Sequence, residues 1–417
     1  MYKHSWSTCS ALTSIAVLWL VGCEPSQSVF TDPAAPDSNA SARVEAAVAA
    51  RLGGPLRGLT GDEMARFAAG LDEFEQVETV DEGLGPVFNE VACSTCHTNP
   101  VGGTNGRVET RFGRLAADGS FDPMSSAGGS LIQDHAIGAV GGDPPTHSYV
   151  VEFVPAEATI TAKRITTPLF GLGLVDAVPD AYLVELARRQ AVNTPRTAGT
   201  AHMVLEIRSG LTRVGRFGWK AQVPTLFQFS GDAYLNEMGI TNPEFPTENC
   251  PQGDCTLLTY NPFPDINDDG AGVVAFNDFM TLLAAPPRGP VTFQALLGRV
   301  VFTRIGCANC HTPTLVTGPS PVAALSRKVF APFSDFLLHD MGALGDGIVQ
   351  GNATGRQMRT APLWGVRTRT ALLHDGRATT IRGAIAAHDG QGRYARDRFI
   401  RLSLGERAAL LAFLKSL

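Results

Sequence analysis

Two pentapeptides constrain this chain more than anything else in it: Cys93-Ser94-Thr95-Cys96-His97 and Cys307-Ala308-Asn309-Cys310-His311. In each, two thiols stand three residues apart with a histidine directly after the second. That is the spacing of c-type haem attachment, in which the thiols form thioethers with the vinyl groups and the histidine becomes the proximal iron ligand. Two copies in a chain with only 8 cysteines predict two covalent haem c groups, held by Cys93 and Cys96 and by Cys307 and Cys310, with His97 and His311 on the irons.

The remaining cysteines fit an exported chain. Lys3 and His4 precede an apolar run over residues 11–22, too short to span a bilayer and suited to a signal-peptide core. The run ends in Leu20-Val21-Gly22-Cys23, which resembles the bacterial lipobox with Cys23 as the lipidated residue. The competing reading is a conventional signal peptide cleaved nearby. Glu24 after that cysteine points to the outer membrane, facing the periplasm. With Cys9 in the leader, only Cys250 and Cys255 are left. Pro251 and Gly253 favour a turn between them, so a local disulfide is expected in an oxidising compartment, against a pair of free surface thiols.

At 417 residues and 44% hydrophobic content the chain can build two or three domains with proper cores. A net charge of −6 with no dense Lys/Arg block argues against nucleic acid as a partner. The expected layout is a lipoprotein signal peptide over 1–22, a flexible Pro/Ser/Ala tether over 23–44, an N-terminal haem domain over 45–285 and a C-terminal cytochrome c domain over 286–417. Pro286-Pro287-Arg288-Gly289-Pro290 would be the joint.

Thr60 and Glu63 form a capping box for a helix through Met64, Phe67, Leu71 and Phe74. From His97 to Pro145 the sequence reads as irregular backbone. His135 and His147 there are the local candidates for a sixth ligand, against the competing reading of solvent-exposed loop histidines. Residues 148–154 and 158–165 alternate like strands, and 202–208 with 211–219 read as a hairpin turning at Ser209-Gly210. A helix over 292–305 enters the second pentapeptide, and Ser403 with Glu406 caps a closing helix whose apolar face is Leu410, Phe413, Leu414 and Leu417. The expected fold is mainly α: two class I cytochrome-c-like domains with small β-hairpin insertions in the first. A weak internal duplication links the two pentapeptides, and Thr167-Pro168-Leu169-Phe170-Gly171 with Ala361-Pro362-Leu363-Trp364-Gly365. Asp265-Ile266-Asn267-Asp268-Asp269-Gly270 matches the opening of an EF-hand loop, but Phe276 stands where the bidentate carboxylate belongs. Two readings stay open: a looser calcium site on Asp265, Asn267 and Asp269, or an acidic turn.

Longer stretches carry a family resemblance. Arg359-Thr360-Ala361-Pro362-Leu363-Trp364-Gly365-Val366, Leu373-His374-Asp375-Gly376-Arg377 and Ala384-Ile385-Ala386-Ala387-His388 resemble the C-terminal domain of bacterial di-haem cytochrome c peroxidases and their maturation-enzyme (MauG-type) relatives. With Gly85-Pro86-Val87-Phe88-Asn89-Glu90 and Gly215-Arg216-Phe217-Gly218-Trp219-Lys220, the chain is more closely similar to the di-haem oxidoreductases often described as thiol oxidoreductases or peroxidases. The resemblance implies that His388 occupies the sixth-ligand position of the second haem, a methionine in the peroxidases and a tyrosine in the maturation enzyme. His374 is the main competitor among His339, Met341, Met358 and His374. It also implies that Glu237, in Asn236-Glu237-Met238-Gly239 after Pro224-Thr225, is the distal acid–base at the first haem, although the spacing is shorter here; the competing reading is a surface glutamate at a helix end. Arg216, Trp219 and Lys220 would line that pocket or the route between haems.

The function expected is therefore a lipid-anchored, peroxidase-like di-haem oxidoreductase, with the first haem as reaction site and the second as electron relay. Its partners would be a small cytochrome or copper protein and an oxidant such as hydrogen peroxide. Imidazole in place of thioether at His388 would lower the second potential, which puts the usual high-potential relay in doubt. Rival readings are an electron carrier with two six-coordinate irons, a haem accessory or sensor lipoprotein linked to iron handling, and an oxygenase or thiol-oxidising enzyme.

Overall fold

Two capping boxes fix the ends of the fold. A computed structural model describes residues 51–417; the expected signal peptide, Cys23 and the whole tether lie outside the described residues. Helix α1 (Gly61–Glu75) begins where Glu63 N–H donates to Thr60 Oγ1 at 3.2 Å and Thr60 N–H donates to Glu63 Oε2 at 2.8 Å. The same reciprocal pair, Ser403 with Glu406, starts the last helix.

Between them run β1 (Val108–Leu115), β2 (Phe121–Asp122), β3 (Ile160–Ile165), α2 (Asp180–Asn193), β4 (His202–Glu206), β5 (Leu211–Gly215), α3 (Leu226–Met238), α4 (Ala271–Leu282), α5 (Phe293–Arg304), β6 (Leu338–Asp340), β7 (Gln357–Arg359), α6 (Ile381–Ala387), α7 (Arg393–Ile400) and α8 (Leu404–Lys415). Single turns and two-residue strands join them. About 36% of the described residues are helical and 15% are in strands, so the fold is mixed and "mainly α" understates the sheet.

The centre of the largest sheet is the part the sequence reading missed, whereas β3 forms within the strand expected at 158–165. β1 is central, with β2 and β3 antiparallel on either side. Its register sets Glu109 opposite Arg164 and Arg111 opposite Ala162. Side chains two apart share a sheet face, so Glu109 and Arg111 project together beside Arg164. Of residues 148–154, expected to be a strand, only Ser148 is in one, as part of the two-residue His147–Ser148 strand. The β4–β5 hairpin forms as expected, with Glu206 paired to Leu211 next to the turn.

The core is built on phenylalanine. Phe67 and Phe74 of α1 meet Phe276 and Phe279 of α4, with Phe74 and Phe279 ring centroids 4.7 Å apart. The helices approach closely because Gly70 has no Cβ; one there would stand 2.3 Å from Ala275 O. This cluster continues into Leu315, Phe330, Phe336 and Trp364, so apolar packing crosses the Pro-rich stretch at 286–290. A second cluster joins α5 to α8 through Phe302, Phe333, Leu410 and Phe413. Each fully buried side chain of this kind contributes about 1.5–3 kcal/mol relative to exposure.

Candidate functional site

Each pentapeptide lies at the wall of its own cavity. Cys93–Cys96 is one helical turn after the extended Ala92, and His97 N–H closes it on Cys93 O at 3.0 Å. Cys307–Asn309 is a tighter turn, closed by His311 N–H on Cys307 O at 3.0 Å. The turn in each case brings both sulfurs and the imidazole to one side. All four thiols are free, whereas Cys250 and Cys255 are bonded to each other.

The first cavity, about 360 Å³, is lined by Cys93, Cys96, His97 and Phe74 on one side and by α3, β1 and β3 on the other. His97 is the only histidine in this lining. Burial holds its imidazole down to about 4, against the raising effect of the Gly103 and Thr167 backbone, so the ring is neutral at pH 7. Its buried Nδ1 has no partner within hydrogen-bond geometry. His135 and His147 are not in the cavity, which corrects their candidacy as ligands. His135 stacks on Phe88 at 5.5 Å and His147 on Tyr260 at 4.6 Å, because short antiparallel pairs hold both elsewhere.

Facing His97's cavity is a concentrated charge cluster. Glu237 sits in the last turn of α3, which ends at Gly239 in the left-handed region (φ 64°). Gly239 packs on Gly85 so closely that a Cβ at Gly85 would meet Gly239 O at 2.4 Å, and this contact joins the Gly85-Pro86 and Glu-Met-Gly segments. Asn89 and Glu90 N–H donate to Glu237 O, and Asn89 Nδ2 donates to Glu237 Oε2 at 2.9 Å. Glu237 lines the cavity and is partly exposed. Burial, then the charge of Glu109, pushes its carboxyl up to about 7, against the Asn89 hydrogen bond. Asp232, one turn earlier, is pushed up to about 6, chiefly by burial. Glu109 stays ionised: although burial opposes it, Arg111 Nε at 2.7 Å and the Arg164 guanidinium hold its carboxyl low. Sequence reasoning found Glu237 but missed Asp232, Glu109, Arg111 and Arg164. The alternation Val108-Glu109-Thr110-Arg111-Phe112 was the available signal.

The second cavity, about 190 Å³, is lined by Cys307, Cys310, His311, His339, Met341, Met358, His374 and His388. Of these candidates His388 faces His311, with ring centroids 6.4 Å apart. His311 Nδ1–H donates to Phe333 O at 3.0 Å and His388 Nδ1–H to Ala384 O at 2.8 Å, which leaves both Nε2 lone pairs free. Burial holds both imidazoles neutral, with His311 down to about 4 and His388 also lowered. His388 thus offers a second neutral imidazole across the cavity from His311, a pair that could hold one iron, and the free thiols and apolar wall fit a haem. His374 packs edge-on against Trp219 at 6.2 Å instead.

Trp219 lines both cavities, its Nε1–H donating to Ile165 O at 3.0 Å. Arg216 and Lys220, expected beside it, line neither. Arg216 is spent on Val178 O and Asp180, and Lys220 on Asp346 at 2.9 Å and Gln357 O at 2.6 Å. At the acidic stretch, Asn267 Oδ1 accepts from the Thr241 hydroxyl, tying the loop to the segment after α3, and Asp269 Oδ1 accepts from Ala271 N–H at the start of α4. Among the described residues no group of three or more His, Cys, Asp or Glu side chains is placed to hold a metal ion.

The family model described as "Di-haem oxidoreductase, putative peroxidase" matches residues 150–417. Among solved structures, the Kuenenia stuttgartiensis hydrazine synthase is similar at 13% identity and a TM-score of 0.38, covering 98% of this chain and 100% of that one. The diheme peroxidase BthA from Burkholderia thailandensis E264 is similar at 14% identity and a TM-score of 0.38, covering 89% and 92%. At those scores neither likeness carries an inference. No curated protein matches.

Proposed function

Because the chain belongs to the di-haem oxidoreductase family, we propose that it binds two covalent haem c groups and reduces a peroxide at the first of them, with the second storing and passing electrons. Cys93, Cys96 and His97 would hold the first haem; Cys307, Cys310, His311 and His388 would hold the second. Haem bound in the first cavity would supply peroxide binding and O–O cleavage, and the two haems together would supply the electrons.

The observation that carries the reading is the asymmetry of the two cavities. The second closes its site with a paired imidazole, so its residues leave no place for substrate. The first has one histidine and, opposite, two carboxyls that titrate near neutrality. Glu237 can take the proton from the bound oxygen of hydrogen peroxide and return it to the leaving one, because its carboxyl is balanced between forms at pH 7. Asp232 is a second proton reservoir, and reduction of hydrogen peroxide to two waters consumes two protons with two electrons. Arg111 and Arg164 fix Glu109 as an anion, which keeps Glu237 basic. Trp219, touching both cavities, gives electrons an aromatic path.

The reading includes a lipid on Cys23 and a place at the periplasmic face of the outer membrane, with electrons supplied by a small cytochrome or copper protein. Hydrogen peroxide consumption by the purified protein with a reduced artificial donor tests it; turnover no faster than that of free haem would overturn it.

A further inference from the structure

The charge on the wall of the second cavity is all of one sign. No Asp or Glu lines it, whereas Arg359, Arg369 and Arg396 do. Arg396 is paired, with Asp397 at 3.0 Å and Asp389 at 3.6 Å. Arg359 and Arg369 form no ion pair among the described residues, and their side-chain hydrogen bonds all go to backbone carbonyls. Arg359 Nε donates to Gly218 O at 2.6 Å and Nη1 to Thr360 O at 3.3 Å, with the guanidinium over the Phe336 ring at 5.4 Å. Arg369 Nη2 donates to Pro362 O and Trp364 O, both at 3.1 Å. Arg359 Nη2 and Arg369 Nε and Nη1 are left over. Burial, then the Arg369 charge, holds Arg359 down to about 10, and burial holds Arg369 down to about 10, so both are cations at pH 7. Asp335 opposes this only from a distance, its oxygens being taken by Gln190, Leu337 N–H and His339. The first cavity differs, since there Arg107 meets Glu90 at 3.1 Å and Arg111 meets Glu109 at 2.7 Å.

Both arginines also line a void of about 20 Å³ with Thr167, Gly218, Trp219 and Phe229, four residues that line the first cavity as well. Arg359 N–H donates to Trp219 O at 2.8 Å, which ties the end of β7 to that wall. The unpaired charge therefore stands where the second cavity comes nearest the first. A buried cation without a counter-charge is costly, so the occupant that suits this wall is apolar over most of its body and carries carboxylates at one edge. A haem with its two propionates has that chemistry. Resting on the two-haem reading above, we infer that Arg359 and Arg369 bind the propionate carboxylates of the second haem and so turn that edge toward Trp219 and the first cavity. Guanidinium and carboxylate match as parallel N–H···O bonds, and the three unused nitrogens supply the donors. Reduction removes one positive charge from the iron, so cations held at this edge favour the reduced form. They offset part of the lowering that a second imidazole brings.

The test is resonance Raman spectroscopy of the haem-loaded, full-length protein in the propionate-bending region, with a spectroelectrochemical titration of each haem, on the wild type, Arg359→Met, Arg359→Lys and Arg369→Met. Absence of covalent haem from the wild type, read from its pyridine haemochrome, would refute the two-haem reading itself. With haem present, each Met variant shifts a propionate band of the second haem. Each also makes that haem about tenfold harder to reduce, a fall of about 59 mV for one electron, while the first haem keeps its potential. Arg359→Lys keeps the charge and recovers most of the potential. Arg369→Met decides the matter alone if Arg359→Met does not fold. Propionate bands unmoved in Arg369→Met, whatever its potential does, or equal falls at both haems, would overturn the inference.

Discussion

Replacing Glu237 with Gln separates the chemistry of the first cavity from its stability. The amide has the shape of the protonated carboxyl and keeps an oxygen for Asn89 Nδ2, so packing is unchanged. The wild-type carboxyl rises from an ordinary 4.5 to about 7 on folding. Between those values the folded chain holds a proton that the unfolded chain has released, so stability falls as pH rises and levels off above the folded value. A rise of that size amounts to as much as about 3 kcal/mol, less whatever water in the cavity screens. Glu237→Gln cannot titrate and loses this dependence. Urea unfolding at pH 5 and pH 8 should therefore show a smaller fall for the variant than for the wild type. In kinetics, kcat/KM for hydrogen peroxide should rise with pH through about 7 in the wild type, as the base form of Glu237 appears. The variant should lose that inflection and about 10²–10⁴ in rate. A Glu237→Gln enzyme with wild-type rate and an unchanged inflection would refute Glu237 as the proton carrier.

Three further substitutions probe the rest of the account. His388→Met replaces imidazole with a thioether and should raise the midpoint potential of the second haem in a spectroelectrochemical titration, while an unmoved potential would mean another group is the ligand. Trp219→Phe keeps an aromatic wall but removes the Nε1–H bond to Ile165 O; electron exchange between the haems should slow in stopped flow with peroxide binding unchanged. Lys220→Met leaves Asp346 with Arg164 alone and strips the donor from Gln357 O, which should cost about 3 kcal/mol in denaturant unfolding at pH 7.

What the sequence made legible was local. Capping boxes are read within four residues, so Thr60–Glu63 and Ser403–Glu406 placed two helices correctly. The β4–β5 hairpin was legible because its turn lies between its strands. β1 was not: its partner β3 comes about fifty residues later, and its alternation is confined to the short stretch from Val108 to Phe112. That miss hid half of the first cavity, since Glu109, Arg111 and Arg164 meet only through the register. α3 and α4 escaped because both are buried among other elements and lack a polar face to set off an apolar one.

The central claim is that the two cavities are unequal, one closed on its metal and one open. Electron spin resonance of the fully ferric protein, in which both irons give signals, and of the half-reduced protein, each with and without one equivalent of hydrogen peroxide, tests it most directly. The account predicts a low-spin bis-imidazole signal from the second site, and a first site whose spectrum changes when peroxide is added. Two low-spin signals that peroxide leaves untouched would contradict it.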